Sequence, residues 1–265
     1  MTWEINITKN KFFDHSSKEM NITKKLAVKY NNPVLIIGLP GIASVGKIAI
    51  DYLSEELKSE KIAEFISDKG PGFTIISDKN LVIIPKIELK HINQNKRDFF
   101  FLTGDYQPVN NSELQSLCRT LLDFTKKLGI KQIITLGGIG LEEEPDKPKV
   151  YAAGNNEKFI ESLKTYRIKQ DTFMHVGTIM GITGLMVALA EVNAAALLIE
   201  TSAYPGYIGL DASKQLLKLL KKMFDFNIKF NNLNKELKLI QKLRDEAFLS
   251  QKESHKKGEE PNYIG

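Results

Sequence analysis

The sequence predicts an α/β protein, a three-layer α/β/α sandwich in which helices cover both faces of a mainly parallel, mixed sheet. Short apolar runs rich in β-branched residues alternate with segments whose apolar residues recur every three or four positions. The helical segments, of about 10–15 residues, are long enough to cross a sheet and return the chain in the parallel direction. A chain of 265 residues, 42% of them hydrophobic, is also long enough to form a large core without disulfides.

The first half of the chain predicts one strand–helix unit followed by a run of strands. PVLIIGL (33–39) is typical of a strand that is buried on both faces. After Pro40-Gly41, apolar residues recur at helical spacing from Val45 to Leu57, which predicts an amphipathic helix. Four further runs predict strands that extend the sheet in an antiparallel direction or form a separate hairpin layer: 62–66, 73–77, 81–85 and 98–104.

The second half of the chain predicts alternating helices and strands. Ser112 and Gln115 match a capping box at the start of a helix, and Gly129 is placed to end it with a positive φ. QIITL (132–136) predicts a strand that ends in a glycine turn over 137–140. The remaining predicted elements are a strand over 150–153, a helix capped by Asn155, a helix over 181–192, a strand over 195–200 and a helix capped by Asp211.

The chain is predicted to comprise one domain and two C-terminal segments. Residues 1–230 are expected to form the domain. Residues 231–250 predict a helix with a narrow apolar stripe, which is typical either of a seam between chains or of packing on its own domain. The stripe consists of Leu233, Leu237, Ile240 and Leu243. Residues 251–265 have no periodic apolar face, which predicts a flexible C-terminal arm.

Composition restricts the expected compartment and partners. No apolar run approaches the length of about 18 residues that a membrane-spanning helix needs. The single cysteine, Cys118, cannot form an internal disulfide, so we expect a cytoplasmic protein without membrane contact. Nine basic and two acidic residues lie between Lys214 and Arg244, as on the solvated face of a helix or a surface for an acidic partner. No aromatic or glycine-rich nucleic-acid motif accompanies them, so no nucleic acid is expected as a partner.

Two glycine-rich segments are the candidates for chemistry. Gly41 to Lys47 has the spacing of a phosphate-binding loop, but Ile48 stands where a Ser or Thr would hold magnesium. Gly137 to Gly140 lies where open α/β sheets bind ligands, yet it lacks the spacing of a dinucleotide-binding loop. A small-molecule site at this second segment and a nucleotide-binding regulator that uses Lys47 are therefore the alternatives to structural turns.

The residue types that most often form metal or nucleophilic sites give no pattern here. The four histidines are far apart and show no metal-ligand spacing. They are His15, His91, His175 and His255. Cys118 lies beside an apolar helical stripe and is expected to be a small buried hydrophobe rather than a nucleophile. We therefore predict no catalytic residues, no metal and no cofactor.

Several short motifs occur in a fixed order between residues 30 and 226. They are Gly38-Leu39-Pro40-Gly41-Ile42 with Val45-Gly46-Lys47, then Gly137-Gly138 after IITL, Pro148 before Val150-Tyr151-Ala152-Ala153, and Leu198-Ile199-Glu200-Thr201-Ser202. Together they resemble the archaeal branch of the proteasome assembly chaperone 2 family. The resemblance implies a phosphorylase/hydrolase-like fold and a non-enzymatic, ATP-independent chaperone that self-associates and helps to assemble proteasome α-subunits.

The resemblance also implies a docking role for the C-terminal arm. In this family such arms end in a hydrophobic residue, a tyrosine and one further residue, and they dock between neighbouring α-subunits. Here the tyrosine is third from the end, in the sequence Tyr263-Ile264-Gly265. We expect these residues to engage proteasome α-subunits or the core particle, and the 231–250 helix to support a homo-oligomer. An enzyme that acts on a small molecule at Gly137–Gly140 is the alternative function.

Overall fold

The described part of the chain comprises residues 3–7, 29–67, 71–77, 79–143 and 145–230 of a computed structural model. It contains a mixed sheet with helices on both faces, which confirms the predicted α/β sandwich. Its compact unit ends at Ile228. The helix predicted over 231–250, with Leu233, Leu237, Ile240 and Leu243, lies outside the described residues. So do the arm with Tyr263, Ile264 and Gly265, and the two histidines His15 and His255.

The described strands form one large sheet and one small hairpin. They are β1 (Trp3–Ile7), β2 (Val34–Gly38), β3 (Glu60–Ser67), β4 (Ile75–Ile76), β5 (Val82–Ile83), β6 (Ile87–Gln94), β7 (Arg97–Gly104), β8 (Gln132–Leu141), β9 (Val150–Gly154) and β10 (Asn193–Ser202). β4 pairs with β5, and the other eight strands lie in the order β1-β3-β6-β7-β2-β8-β10-β9. The four central strands β7, β2, β8 and β10 are parallel. Antiparallel pairs extend the sheet on both sides.

Helices cover the two faces of the sheet. They are α1 (Val45–Glu56), α2 (Asn111–Lys127), α3 (Glu157–Leu163), α4 (Thr172–His175), α5 (Gly181–Leu189) and α6 (Leu210–Phe224). The first and last of these pack against each other on one face, and α2 contacts α5 on the other. Short 3-10 turns precede α1, at Ile42–Ser44, and follow α3, at Lys164–Tyr166.

The core lies on both sides of the central strands because their side chains alternate between the two faces. Every residue of β2 is buried, as predicted for a strand that is covered on both faces. Leu35 and Ile37 belong to the apolar layer that includes α2, whereas Ile36 between them points to the opposite face. The run Phe99 to Phe101 in β7 is at most 1% exposed. Each such phenylalanine contributes about 1.5–3 kcal/mol through burial.

The start of α2 differs from the sequence prediction. The N-cap is Asn110 and not Ser112, and the helix begins at Asn111. The side-chain oxygen of Asn110 accepts hydrogen bonds from the N–H groups of Ser112, at 2.9 Å, and Glu113, at 3.4 Å. Asparagine and serine are about equally good N-cap residues, and here the hydroxyl of Ser112 donates to the side-chain oxygen of Asn110 at 2.7 Å. The predicted C-terminal residue Gly129 does adopt a positive φ, of 68°.

Two other predicted caps are also displaced. Asn156 caps α3 by accepting a hydrogen bond from the N–H of Phe159 at 3.0 Å. The predicted cap, Asn155, instead donates to main-chain carbonyls in the connection that leads into β10. Gly209 is the N-cap of α6, and Asp211 lies in the first turn, where a negative charge still favours the helix dipole.

Candidate interaction surface at the carboxyl end of the parallel strands

A cleft of about 610 Å³ lies at the carboxyl end of the parallel strands. Its lining comes from the turn after β2, the loop after β7, the last residues of β8 and the connection between α4 and α5. In open α/β sheets the carboxyl ends of the strands are the usual position for a ligand. This edge of the sheet is therefore the candidate functional site.

The floor of the cleft is formed by Gly137–Gly140, which lie inside strand β8 and not in the predicted turn. The strand continues because β10 runs beside it until Ser202 pairs with Leu141. The glycines allow close packing: a Cβ atom on Gly138 would lie 2.9 Å from the carbonyl oxygen of Ile42. Because the three glycines of this segment lack side chains, the turn after β2 can lie directly on β8.

Lys47 does not face an open phosphate site. Its Nζ atom lies 2.6 Å from the carboxylate of Asp51, one helical turn further along α1, and 3.8 Å from that of Asp105. The hydroxyl of Thr103 also donates a hydrogen bond to Asp51. Two carboxylates therefore compensate the charge of this lysine. The segment from Gly41 to Lys47 forms a 3-10 turn and the first residues of a helix.

The turn that carries Ile42 is strained and is held by contacts with α6. Ala43 and Ser44 adopt left-handed φ values of 50° and 51°. This region costs L-residues other than glycine about 1–2 kcal/mol each. The N–H of Gly209 donates to the carbonyl of Ala43 at 2.9 Å, and the hydroxyl of Ser213 donates to a carbonyl in the first turn of α1 at 3.1 Å. These bonds fix Ile42 at the rim of the cleft.

The cleft is poor in groups for acid–base chemistry. The described side chains that line it include no Asp, Glu, Lys or Arg. The amide of Gln107 is occupied, since it donates to the carbonyl of Pro40 and accepts from the N–H of Ile182 at 3.3 Å. His175 lies 3.4 Å from the carboxylate of Asp171. His175 is the one titratable side chain among the described residues that line the cleft.

Exposed apolar side chains surround the cleft. Val109 is 96% exposed and Met180 is 85% exposed. We call the exposed apolar residues of this rim the apolar collar, which consists of Ile42, Val109, Met180, Tyr204 and Ile208. Exposed apolar residues grouped in this way mark a surface for contact with another molecule.

The hairpin formed by β4 and β5 adds a second apolar surface at the same end of the sheet. The ring of Phe73 contacts that of Tyr106, with centroids 6.3 Å apart, so the hairpin segment lies beside the loop after β7. Its exposed apolar residues are Phe73, Ile76, Leu81, Val82, Ile83 and Ile84. The sequence predicts strands here but gives no sign that their apolar side chains are left exposed.

Cys118 lies in the apolar core of the domain. Cys118 is fully buried in α2, and burial raises the pKa of its thiol to about 12, which confirms a small buried hydrophobe.

The described residues contain no group of three or more His, Cys, Asp or Glu side chains placed to hold a metal ion. No helix within the described ranges has both the length and the apolarity needed to cross a membrane.

Fold and surface together define an α/β sandwich with an apolar collar beside a cleft whose described lining includes no Asp, Glu, Lys or Arg. The family model described as "PAC2 family" matches residues 35–247. The chain therefore belongs to the PAC2 family, which confirms the resemblance found in the sequence motifs.

Several of the proteins that are similar to this chain come from archaea. Two uncharacterized proteins of Methanocaldococcus jannaschii are each 27% identical to it, over 242 and 236 residues, which is 88% and 86% of this chain and 93% and 91% of theirs. The crystal structure of PbaB from Pyrococcus furiosus, described as an archaeal proteasome activator, is 25% identical with a TM-score of 0.76, covering 93% of this chain and 98% of that one. PbaA of the same organism, described as an archaeal homolog of proteasome-assembly chaperone, is 22% identical with a TM-score of 0.70, covering 88% and 94%. This last likeness concerns the fold.

Proposed function

We propose that this protein is an ATP-independent proteasome assembly chaperone or proteasome-binding protein, and not an enzyme, that engages proteasome α-subunits in the cytoplasm. The observation that carries the proposal is the apolar collar around a cleft lined by uncharged groups and one histidine. Similarity to PbaB, an archaeal proteasome activator, supports the choice of partner. Apolar burial gives affinity without any chemical step, as a chaperone that uses no ATP requires.

The collar supplies enough apolar surface for such a contact. Val109 and Met180 are each at least 85% exposed. Full burial of each side chain contributes about 1.5–3 kcal/mol before the costs of association. Those costs are large, so we expect a contact of moderate affinity from the collar alone.

The C-terminal arm is proposed as a second contact. Tyr263, Ile264 and Gly265 are proposed to engage the partner, with burial of Tyr263 and Ile264 adding apolar contact. Leu233, Leu237, Ile240 and Leu243 are proposed to hold copies of the chain together in a homo-oligomer. An oligomer that presents several arms to repeated α-subunits gains affinity through effective concentration.

Binding of the full-length protein to purified α-subunits tests the role of the collar. In the variant Val109→Asp with Met180→Asp, we expect binding to weaken at least about tenfold, which corresponds to about 1.4 kcal/mol. Met180 is the N-cap of α5, a position that favours aspartate, so the fold is expected to tolerate this change.

The matched control replaces an exposed apolar residue at the other end of the sheet. Leu189 is 42% exposed at the end of α5, and Leu189→Asp is expected to leave binding unchanged. Equal binding by all three proteins, with thermal unfolding unchanged, would exclude the collar as the contact surface. Removal of residues 262–265 tests the arm in the same assay, and a loss of binding with the oligomer intact supports it.

A further inference from the structure

Six basic side chains line a groove of about 630 Å³ beside the edge strand β9. All of them are exposed, and they come from the loop before β9, the segment after α3 and the helix α6. They are Lys147, Lys149, Arg167, Lys169, Lys218 and Lys222. The described residues that line the groove include no Asp or Glu. The groove is therefore a concentrated positive surface, separate from the apolar collar.

The amphipathic character of α6 does not explain this grouping. Only Lys218 and Lys222 lie on that helix, whereas the other four basic residues are brought in by the fold. The main chain of Lys169 is fixed along one edge of β9, since its N–H donates to the carbonyl of Val150 at 2.8 Å and its carbonyl accepts from the N–H of Ala152 at 2.9 Å. Like charges gathered in this way repel each other unless an anion neutralises them.

The positive charge of the groove is not compensated within the described part of the chain. None of the ion pairs found there involves any of the six side chains. The carboxylate of Glu200 accepts hydrogen bonds from the main-chain N–H of Lys149, at 2.9 Å, and from the hydroxyl of Tyr151, at 3.0 Å. Asp146, next to Lys147 in sequence, is exposed and absent from the lining.

Arg167 occupies a backbone position that does not favour arginine. Its φ is 63°, and its N–H donates to the carbonyl of Lys164 at 2.8 Å to end the 3-10 turn. Glycine and asparagine are the usual residues at such a left-handed helix end. A residue kept in an unfavourable conformation points to a role for its side chain, and here that side chain faces the groove.

We propose that the groove binds an acidic segment of a protein partner. Charge complementarity favours this occupant, because six exposed basic side chains, with no Asp or Glu among the described lining residues, suit a peptide rich in glutamate. The aromatic ring that lines the groove, Tyr166, has the Nζ atom of Lys222 5.9 Å from its centroid, so this face is not open for a base to stack.

A fluorescein-labelled peptide of alternating Glu and Ser, measured by fluorescence anisotropy with the full-length protein, tests this proposal. We expect saturable binding that weakens as salt is raised. The variant Lys147→Glu with Lys218→Glu is expected to weaken binding about tenfold, since two exposed charge pairs become repulsive. Arg167→Asn removes one charge and suits the left-handed backbone, so it is expected to weaken binding about twofold to fivefold without lowering thermal stability.

The matched control is Lys127→Glu with Lys131→Glu, which makes the same change in net charge at the end of α2, on the other face of the sheet. We expect the control to bind the peptide like the wild type. An equal loss in both double variants would show an effect of overall charge and would overturn the proposal. It is also overturned if no saturable binding occurs, or if a single-stranded oligonucleotide binds more tightly than the peptide.

Discussion

The substitution Gly138→Ala tests the packing of the cleft floor. The added Cβ atom would lie 2.9 Å from the carbonyl oxygen of Ile42 and 3.1 Å from both the Ile42 Cβ and the Thr201 Cγ2. The oxygen belongs to the backbone of a turn that already contains two residues with left-handed φ, so the turn has little freedom to move. Overpacking of this kind costs about 1–3 kcal/mol. For a domain of this size, each kcal/mol lowers the Tm by about 2–4 °C.

Thermal and urea unfolding of the full-length protein measure this effect. The matched control is Gly177→Ala, because a Cβ atom there meets nothing within 4 Å and the residue does not have a positive φ. We expect this control to be as stable as the wild type or slightly more stable, because alanine restricts the unfolded chain. Equal Tm values for Gly138→Ala and the control would refute the close contact between β8 and the turn after β2.

Three further outcomes are expected. Burial alone would raise the pKa of Asp98, but hydrogen bonds, the strongest from Asn93 and another from His91, lower it. Asp98 therefore stabilises the fold above its unfolded pKa of about 3.9, and this contribution is lost as pH falls through the lower folded pKa. Urea unfolding from pH 7 to pH 3 should show a smaller acid loss for Asp98→Asn than for the wild type. The Cys118 thiol should react with a maleimide only on unfolding, because burial raises its pKa to about 12; rapid labelling of the native protein would contradict this. Isothermal titration with Mg-ATP should give no heat of binding, and binding that Lys47→Ala abolishes would contradict the ion pairs of Lys47.

The central strands were predictable because burial on both faces leaves an unbroken apolar run in the sequence. The Phe99–Phe101 run of β7 is an example. Strand β6 was not predicted, since Ile87 and Leu89 are its only buried residues and polar residues follow them. The helix caps were displaced by one or two positions because neighbouring polar residues can each serve as a cap. Hydrogen bonds from distant segments decide between them, as the contacts of Asn155 show.

The candidate surfaces were harder to predict than the fold. The glycine-rich sequence predicts a turn with a candidate small-molecule site at 137–140, but in the structure these glycines allow close packing within a strand. Val109 and Met180 lie between regular elements, where isolated apolar residues produce no periodic pattern. Nothing in the sequence indicates that these two side chains are exposed, and only the folded structure reveals it. The basic groove combines residues as distant as Lys147 and Lys222, which only the tertiary fold brings together.

The proposed function depends on a contact between this chain and proteasome α-subunits. The most direct measurement is sedimentation or interferometry of the purified full-length protein with purified α-subunits of the organism that encodes it, without nucleotide. We expect a saturable complex of micromolar or tighter affinity that forms without ATP and weakens in the Val109→Asp with Met180→Asp variant. Absence of a complex at about ten times that concentration, with both proteins folded, would contradict the proposed function.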